Sequence, residues 1–319
     1  MKVSVLVPVY GVERYIEQCA ASLMNQTYKD VEYIFVDDCT PDASIERLRE
    51  VVAKYPERES QVRIIAHEHN LGLAGARQTA LDAVTGDAVL FVDSDDYFDT
   101  TMIEMLVVEM VQSGAEVVDG GLSIVTNGEV VKANLPLHVS GKGYLKIILC
   151  QNVEIPRIVG RLIKKSLFDD NAIGFYQGID YGEDYSVLPR LLINARRSVV
   201  DKCLYYYRND NPVSYTNNIT THNAISFFKA QEVVSTFMES HEHGKDYLFA
   251  SQIGWVNVWR FARRFNQPQQ LVEEHFTQKS THVVTRCLEW MFKCDKMPYK
   301  AINFIYLATR RIYLAFAGR

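Results

Sequence analysis

The chain has 319 residues, of which 48% are hydrophobic and 23% are charged, as in an ordinary globular protein. Its net charge of −5 argues against a nucleic-acid partner, because no basic excess is present to neutralise phosphates. The six cysteines form no CxxC pair, Met1 leads directly into an apolar strand, and no apolar stretch is long enough to cross a bilayer. We therefore expect a cytoplasmic protein without a disulfide framework or a signal peptide.

The first third of the chain alternates between short apolar strands and helices. The predicted strands are Val3–Val9, Val31–Val36, Val62–Ala66 and Ala88–Val92. The predicted helices are Val12–Asn25, Ala43–Lys54, Ala74–Val84 and Thr101–Ser113. This alternation predicts an α/β fold with a mostly parallel sheet flanked by helices on both faces. Ligands of such sheets bind beyond the carboxyl ends of the strands.

Acidic residues follow two of these strands. Asp37 and Asp38 end the second strand, and Asp-Ser-Asp-Asp at 93–96 ends the fourth. Because side chains alternate along a strand, Asp93 and Asp95 are predicted to leave the sheet on the same side. Carboxylates this close attract a hard divalent cation such as Mg²⁺, which takes its other ligands from water and substrate phosphates. An acidic turn that caps the following helix is the alternative.

The same edge of the sheet suits a nucleoside diphosphate. The carboxylate of Asp38 can accept a hydrogen bond from the N3–H of a uracil ring, while a cation at 93–96 binds the diphosphate. Asp38 could instead be an ordinary helix N-cap, although Thr40 and Asp42 lie closer to the start of the next helix.

Five segments, in order along the chain, resemble those of glycosyltransferase family 2, the inverting nucleotide-sugar transferases of GT-A fold. They are Val5–Tyr10 (VLVPVY), Val36–Asp42 (VDDCTPD), Asn70–Arg77 (NLGLAGAR), Val92–Asp96 (VDSDD) and Gly182–Asp184 (GED). Two more, Gly160–Lys165 and Tyr205–Arg208, resemble segments of capsule and cell-wall members. The resemblance implies a GT-A catalytic domain over residues 1–215, with a nucleotide-binding half to about residue 96 and an acceptor half over 97–215. Cys39 stands where the family usually has glycine.

The resemblance also implies which residues bind the nucleotide. Asp38 would bind the uracil, and Arg77 would contact the base or a phosphate. A solvated helical arginine is the alternative for Arg77, and a flexible helix entry is the alternative for Gly72 and Gly75. The full expected set is Pro8, Val9, Tyr10, Asp38, Asn70, Gly72, Arg77, Asp93, Ser94 and Asp95.

The metal and catalytic roles follow from the same resemblance. Asp95 would be the main ligand of Mn²⁺ or Mg²⁺, with Asp93 nearer the ribose and Asp96 in support. Asp184 would be the general base that takes the acceptor proton, and Glu183 would orient or replace it. Alternatively, Glu183 and Asp184 only favour a helix N-terminus electrostatically.

The rest of the chain carries weaker signals. Leu122–Val131 is predicted to be a hairpin with a tight turn at Asn127-Gly128, and Ser198–Tyr207 is predicted to be a strand. From residue 216 to 319 helices dominate, and they are predicted over His222–Ser240, Asp246–Phe265, Pro268–Lys293 and Lys300–Arg319.

The last predicted helix, residues 300–319, suggests a peripheral membrane contact. Its apolar residues, among them Ile302, Tyr306 and Ile312, fall on one side, and Arg310 and Arg311 fall off it. This pattern is typical of an interfacial helix attracted to anionic lipid on the inner membrane face, although packing against the rest of the helical region explains it equally well.

These features predict a metal-dependent, inverting, non-processive transferase that moves a sugar from a UDP-sugar to a hydroxyl of a glycan or lipid-linked acceptor. The QxxRW motif of the family's processive synthases is absent from the sequence. A sugar-phosphate nucleotidyltransferase is one alternative, but it needs a basic Gly-rich loop after the first strand, which residues 8–12 do not provide. A non-catalytic sugar-binding module is another, and it leaves Asp38 and Asp184 unexplained.

Overall fold

The computed structural model describes residues 1–150, 156–212, 220–264, 283–293 and 299–317. Contacts divide the chain into two compact units whose segments interleave along the sequence. The first unit comprises Met1–His138, Ile158–Gly178 and Asn194–Ser214. The second comprises Val139–Arg157, Ile179–Ile193 and Tyr215–Arg319.

One sheet contains the strands of the first unit. These are β1 (Val3–Val9), β2 (Val31–Asp37), β3 (Val62–Ala66), β4 (Ala88–Phe91), β5 (Tyr97–Phe98), β6 (Val117–Thr126), β7 (Glu129–Asn134), β8 (Arg161–Lys164) and β9 (Arg197–Arg208). Their order across the described sheet is β3-β2-β1-β4-β8-β6-β9-β5, with β7 paired to β6. Strands β3, β2, β1 and β4 run parallel to one another, as predicted. Strand β8 runs antiparallel to both β4 and β6.

Helices cover this sheet. They are α1 (Ile16–Met24), α2 (Ser44–Val52), α3 (Pro56–Glu59), α4 (Gly72–Asp82), α5 (Met102–Ser113) and α7 (Ser166–Asp169). Helix α6 (Gly141–Leu149) belongs to the second unit. Every residue of β1 and β4 is buried, as expected for strands packed on both faces.

The first helix begins later in the structure than the sequence predicts. The sequence predicts a start at Val12, but the helix begins at Ile16. The backbone amides just before it bind side chains of the segment that follows β2. The Val12 amide donates to Ser44 Oγ at 3.1 Å, and the Gly11 amide donates to Thr40 Oγ1 at 2.8 Å. The predicted hairpin is confirmed, and Asn127 and Gly128 at its turn both have positive φ.

A buried carboxylate joins three strands in the middle of the sheet. Asp119 of β6 is 1% exposed, and its Oδ1 lies 2.5 Å from the guanidinium of Arg161 in β8. Its Oδ2 lies 2.6 Å from Nε of Arg197 in β9. Removing one partner of such a buried group leaves an uncompensated charge, so Arg161 of the Gly160–Lys165 segment has a structural role here.

The second unit is helical. Its further helices are α8 (Glu183–Leu192), α9 (Thr221–Ser240), α10 (Leu248–Arg264), α11 (Val283–Lys293) and α12 (Tyr299–Ala317). The predicted helix at 268–293 is described only from Val283, and residues 268–282 lie outside the described part of the chain, as do residues 318–319 of the last predicted helix. No described helix combines the length and the hydropathy needed to cross a membrane.

A polar contact explains why α6 and α8 pack with the C-terminal helices. The hydroxyl of Tyr185 in α8 donates to Gln231 of α9 at 2.9 Å and lies 3.2 Å from the carbonyl of Leu149 in α6. The compact units therefore divide the chain differently from the predicted regions 1–215 and 216–319. Assignment of the catalytic function to residues 1–215 stays a prediction.

Near the start of β2, the side chain of Glu32 ties together neighbouring segments. It accepts hydrogen bonds from Ser4 Oγ, from the amide and hydroxyl of Thr85, and from Lys2 Nζ. Burial raises the pKa of Glu32, but these hydrogen bonds outweigh burial and lower the pKa to about 2. Because the pKa is lower in the folded state, ionised Glu32 stabilises the fold above its unfolded pKa, and this contribution is lost as pH falls.

We expect Glu32→Gln to lower the free energy of unfolding at pH 7 by about 2 kcal/mol, allowing for solvent screening at this half-buried site. The stability of the variant should also fall less steeply than that of the native chain between about pH 5 and pH 2. Urea unfolding over a pH series measures both effects. Glu50→Gln is the control, since Glu50 is exposed; equal effects of the two substitutions would contradict the role of Glu32.

Candidate active site

The loop after β1 presents the aromatic side chain of Tyr10 to solvent. Tyr10 is 52% exposed, whereas Pro8 and Val9, also expected to frame the nucleotide base, are buried within β1. The loop is bound to the segment after β2, where Cys39 has a φ of +58°. This left-handed conformation explains the family's usual glycine at that position, since other residues adopt it at some cost.

Asp38, the expected uracil ligand, is 3% exposed and is bound by the chain itself. Its Oδ1 accepts from the Leu71 amide at 2.7 Å and lies 2.8 Å from Nδ1 of His67. Its Oδ2 accepts from the Gly72 amide at 3.0 Å. The carboxylate thus caps α4, where amides without helical partners and the helix dipole favour a negative charge.

Asn70 and Gly72 complete this connection. The Asn70 amide group donates to the carbonyl of Asp38 at 3.2 Å, and its oxygen accepts from the Gly72 amide at 3.0 Å. Gly72 has a φ of +80°, which other side chains rarely adopt. A Cβ on Gly75 would lie 2.6 Å from Cβ of Leu71. Both glycines are therefore required by the entry into α4.

Arg77 connects α4 to the second acidic segment. It is 2% exposed, so it is not the solvated helical arginine considered above. Its guanidinium lies 2.7 Å from Oδ1 of Asp93 and 5.9 Å from the ring centroid of Phe175. A buried arginine over an aromatic ring is held in one position, which fixes the carboxylate that it binds.

The segment 93–96 is a turn and not the end of a strand. β4 ends at Phe91, and the Asp96 amide donates to the carbonyl of Asp93 at 3.1 Å. The strand alternation used to place Asp93 and Asp95 on one side therefore does not apply. Each carboxylate of the turn instead has its own partner, and Ser94 between them is 6% exposed.

Asp96 is expected from the sequence to support a metal ion, but the structure places it in the interior, 1% exposed. The Tyr205 hydroxyl donates to its Oδ2 at 2.6 Å, and the Arg208 amide donates to its Oδ1 at 2.7 Å. Burial, then the charges of Asp95 and Asp93, raise the pKa of Asp96 well above its usual value. With both oxygens bound, Asp96 stabilises the turn.

Asp95 is half-buried and belongs to a more open part of the turn. Its Oδ2 accepts from Nδ2 of Asn211 at 2.8 Å, and Asn211 is itself 3% exposed. Burial, and next the charge of Asp93, raise the pKa of Asp95 to about 6. The negative charge of this pair is therefore only partly compensated by the neighbouring side chains.

The end of β9 and the segment after it supply several of these contacts. Arg208 also donates from Nε to the carbonyl of Asp95 at 3.0 Å and from its terminal nitrogen to Gln18 at 2.6 Å. The guanidinium stacks on the ring of Tyr15, 4.9 Å from its centroid. Residues at the end of β9, together with Asn211 after it, thus hold the acidic turn in place.

The predicted catalytic pair lies in the second unit. Glu183 and Asp184 are the first two residues of α8; Glu183 is 9% exposed and Asp184 is half-buried. Gly182 before them has a φ of +88°, and a Cβ there would lie 2.9 Å from the ring of Phe227 in α9. Pro189 lies inside α8.

Sequence reasoning assigned no site role to four residues that contact the predicted ones: His67, Tyr205, Arg208 and Asn211. Each makes its contact across at least 29 positions of sequence. His67 directly follows β3 at the edge where ligands of parallel sheets bind, which was a usable signal. Asn211 carried none, because it lies in a loop without a recognisable motif.

A model of Glycosyl transferase family 2 matches residues 4–171, more than half of the chain. The chain belongs to this family. The uncharacterized glycosyltransferase EpsJ of Bacillus subtilis (strain 168) is 32% identical over 223 residues, which are 67% of this chain and 62% of EpsJ. The match thus spans less than two thirds of EpsJ.

Solved structures of other glycosyltransferases share the fold. The crystal structure of Staphylococcus aureus TarS 1-349 has a TM-score of 0.64 at 20% identity, over 97% of this chain and 90% of that one. TarS is a poly(ribitol-phosphate) beta-N-acetylglucosaminyltransferase, and its structures include complexes with UDP and UDP-GlcNAc. The mannosyltransferase PcManGT of Pyrobaculum calidifontis, in complex with GDP-Man and Mn²⁺, has a TM-score of 0.51 at 16% identity, over 99% of this chain and 85% of that one.

The predicted GT-A fold is confirmed by this likeness. The predicted membership of glycosyltransferase family 2 is confirmed, and the glycosyltransferase relatives support the prediction of a transferase.

We expect Asp38→Ala to lower the free energy of unfolding by about 2 to 3 kcal/mol, because it removes a helix cap and leaves the Leu71 amide without its acceptor. Asp38→Asn, which keeps one acceptor oxygen, should cost less. Chemical denaturation measures both, with Asp30→Ala as the control, since the Asp30 carboxylate is 60% exposed. Native stability of the Asp38→Ala variant would mean that the carboxylate serves a ligand alone.

Proposed function

We propose that this family 2 glycosyltransferase transfers a sugar from a UDP-sugar, with inversion and one sugar at a time, to a hydroxyl of a glycan or lipid-linked saccharide. The observation that carries the proposal is the partly compensated pair Asp93 and Asp95, which lies just beyond the carboxyl end of a parallel strand. TarS, which shares the fold, binds UDP and UDP-GlcNAc, and this supports a UDP-linked donor.

The residues of the acidic turn fit a divalent cation that is shared with the donor. Among the described side chains, no three histidine, cysteine or acidic groups converge to hold a metal by themselves. Two carboxylates do suit Mg²⁺ or Mn²⁺, which is usually bound by one or two carboxylates together with substrate phosphates. Arg77 and Asn211 each bind one oxygen, of Asp93 and Asp95 respectively, and leave the other oxygen as an acceptor. Bound there, the cation would neutralise charge on the departing diphosphate.

The nucleoside would lie at the loops after β1 and β2. Tyr10 provides the exposed ring for the base, and Asp38 keeps an acceptor position on Oδ2 for the uracil N3–H. Arg77 acts by holding Asp93 and not by direct contact with the base. Asn70 and Gly72 contribute by shaping the entry into α4.

Asp184 is the proposed general base, because inversion in one displacement requires a group that takes the proton of the attacking hydroxyl. It lies in the first turn of α8, a position fixed by the close packing of Gly182 on α9. Glu183, more deeply buried, would orient Asp184.

The test of the function is UDP release from a set of UDP-hexoses with Mn²⁺, in the presence of saccharide acceptors. We expect release with at least one donor and none in EDTA. Asp95→Ala should abolish release and weaken UDP-sugar binding in Mn²⁺, because the diphosphate loses its bridging cation. Full activity of the native chain in EDTA would exclude the metal.

A second prediction concerns Asn211, which positions Asp95. Asn211→Ala should weaken Mn²⁺ binding by about 10- to 100-fold, the usual effect of losing a partner that orients a metal ligand. Titration calorimetry and Mn²⁺ paramagnetic resonance with UDP present report binding without catalysis. Asn209→Ala is the matched control, because Asn209 contacts Thr126 instead of the acidic turn. Unchanged Mn²⁺ affinity in Asn211→Ala would remove this role.

A third prediction separates proton transfer from donor binding. Asp184→Asn should lower transfer by roughly 10² to 10⁴ and leave UDP affinity within a few-fold of native, because it removes a base but keeps the shape of the side chain. Glu183→Gln should lose less. UDP binding by calorimetry and transfer assays are run in parallel. Near-native transfer, or an equal loss of UDP binding, would place the base elsewhere.

A further inference from the structure

One face of α12 combines exposed apolar and basic side chains. Phe304 is 74% exposed and Ile312 is 61% exposed, and Lys300 and Arg311 are exposed beside them. At about 100° per residue, these four side chains fall on one side of the helix. We call this set the outer face of α12. The small residues Ala301, Ala308 and Ala315 complete it.

The opposite face of α12 is the one that packs on the second unit. Ile302 and Tyr306 are fully buried, and the Tyr313 ring lies 4.8 Å from that of Phe249 in α10. The single apolar stripe expected from the sequence is therefore divided: Ile302 and Tyr306 belong to the interior, and Ile312 belongs to the outer face. Packing and the outer face use different residues, so one can be changed without the other.

The charge of α12 indicates which kind of surface its outer face can bind. The helix contains Lys300, Arg310 and Arg311 and no acidic residue, although the whole chain has a net charge of −5. A basic helix on an acidic protein is attracted to an anionic surface. Exposed apolar side chains among those charges favour a surface that also has a hydrocarbon layer.

We propose that the outer face of α12 docks on an anionic lipid bilayer. Phe304 and Ile312 insert at the boundary between headgroups and acyl chains, and Lys300 and Arg311 bind lipid phosphates. The helix lies in the plane of the interface, in keeping with the absence of a membrane-spanning helix from the described residues. This proposal does not depend on the transfer reaction.

The exposed apolar residue Val111 lacks this combination. Val111 on α5 is 67% exposed, but α5 contains Glu104 and Glu109 and no basic residue. Scattered exposed apolar residues of this kind are normal on a protein surface. Val111 therefore provides a matched control for the outer face of α12.

The test is flotation of the full chain with vesicles of equimolar phosphatidylcholine and phosphatidylglycerol, compared with vesicles of phosphatidylcholine alone. We expect the native chain to float with the anionic vesicles and to be released by salt. Phe304→Ser with Ile312→Ser should lower the partition coefficient by at least about tenfold, and Lys300→Glu with Arg311→Glu by a similar factor. Val111→Ser should float like the native chain.

Three outcomes would overturn the proposal: no flotation of the native chain, flotation of both double variants at the native level, or equal binding to neutral vesicles. A dimer in light scattering that is lost in the Phe304→Ser variant would assign the face to a second copy of the chain instead. Thermal unfolding and UDP binding of each variant verify that the fold and the donor site are intact, so a failure of catalysis does not affect the result.

Discussion

The site depends on one electrostatic constraint: three carboxylates stand within four residues in the turn that follows a buried strand. Each repels the others unless a separate donor compensates it. Arg77 binds Asp93, Asn211 binds Asp95, and Asp96 has two donors of its own in the interior. This arrangement stabilises the turn, but the negative charges of Asp93 and Asp95 are only partly neutralised. A fully neutralised turn would have no affinity for a cation, so the incomplete compensation is the feature on which the proposed metal site rests.

Helix α4 connects this turn to the rest of the sheet edge. Its first amides are capped by Asp38 after β2, and Arg77 in its second turn binds Asp93 after β4. Helix α4 therefore fixes the positions of the two acidic segments, after β2 and after β4, relative to each other. The NLGLAGAR segment is explained by this task, since Asn70 and Gly72 shape the helix entry. Several residues of the family-like segments thus bind one another.

The proposed base is held by a different part of the chain. Helix α8 packs with α6 and α9 through the buried contacts of Tyr185, and Gly182 permits the close approach of its first turn to Phe227. The C-terminal helices thus form the packing surface that orients Asp184, in addition to carrying the outer face of α12. Substitutions in α9 should consequently affect the orientation of the first turn of α8, although α9 contains none of the proposed catalytic residues.

The sequence alone determined the parallel strands, the positions of the acidic segments and the family, because strand periodicity and short motifs are local properties. Tertiary structure decided what each acidic residue does. Asp38 and Asp96 each bind donors from 29 or more positions away, and no local pattern encodes such contacts. Asn211 was invisible for the same reason. The two sides of α12 were also indistinguishable until packing buried Tyr306 and left Phe304 exposed, since a helical wheel shows which residues share a face but not which face meets the protein.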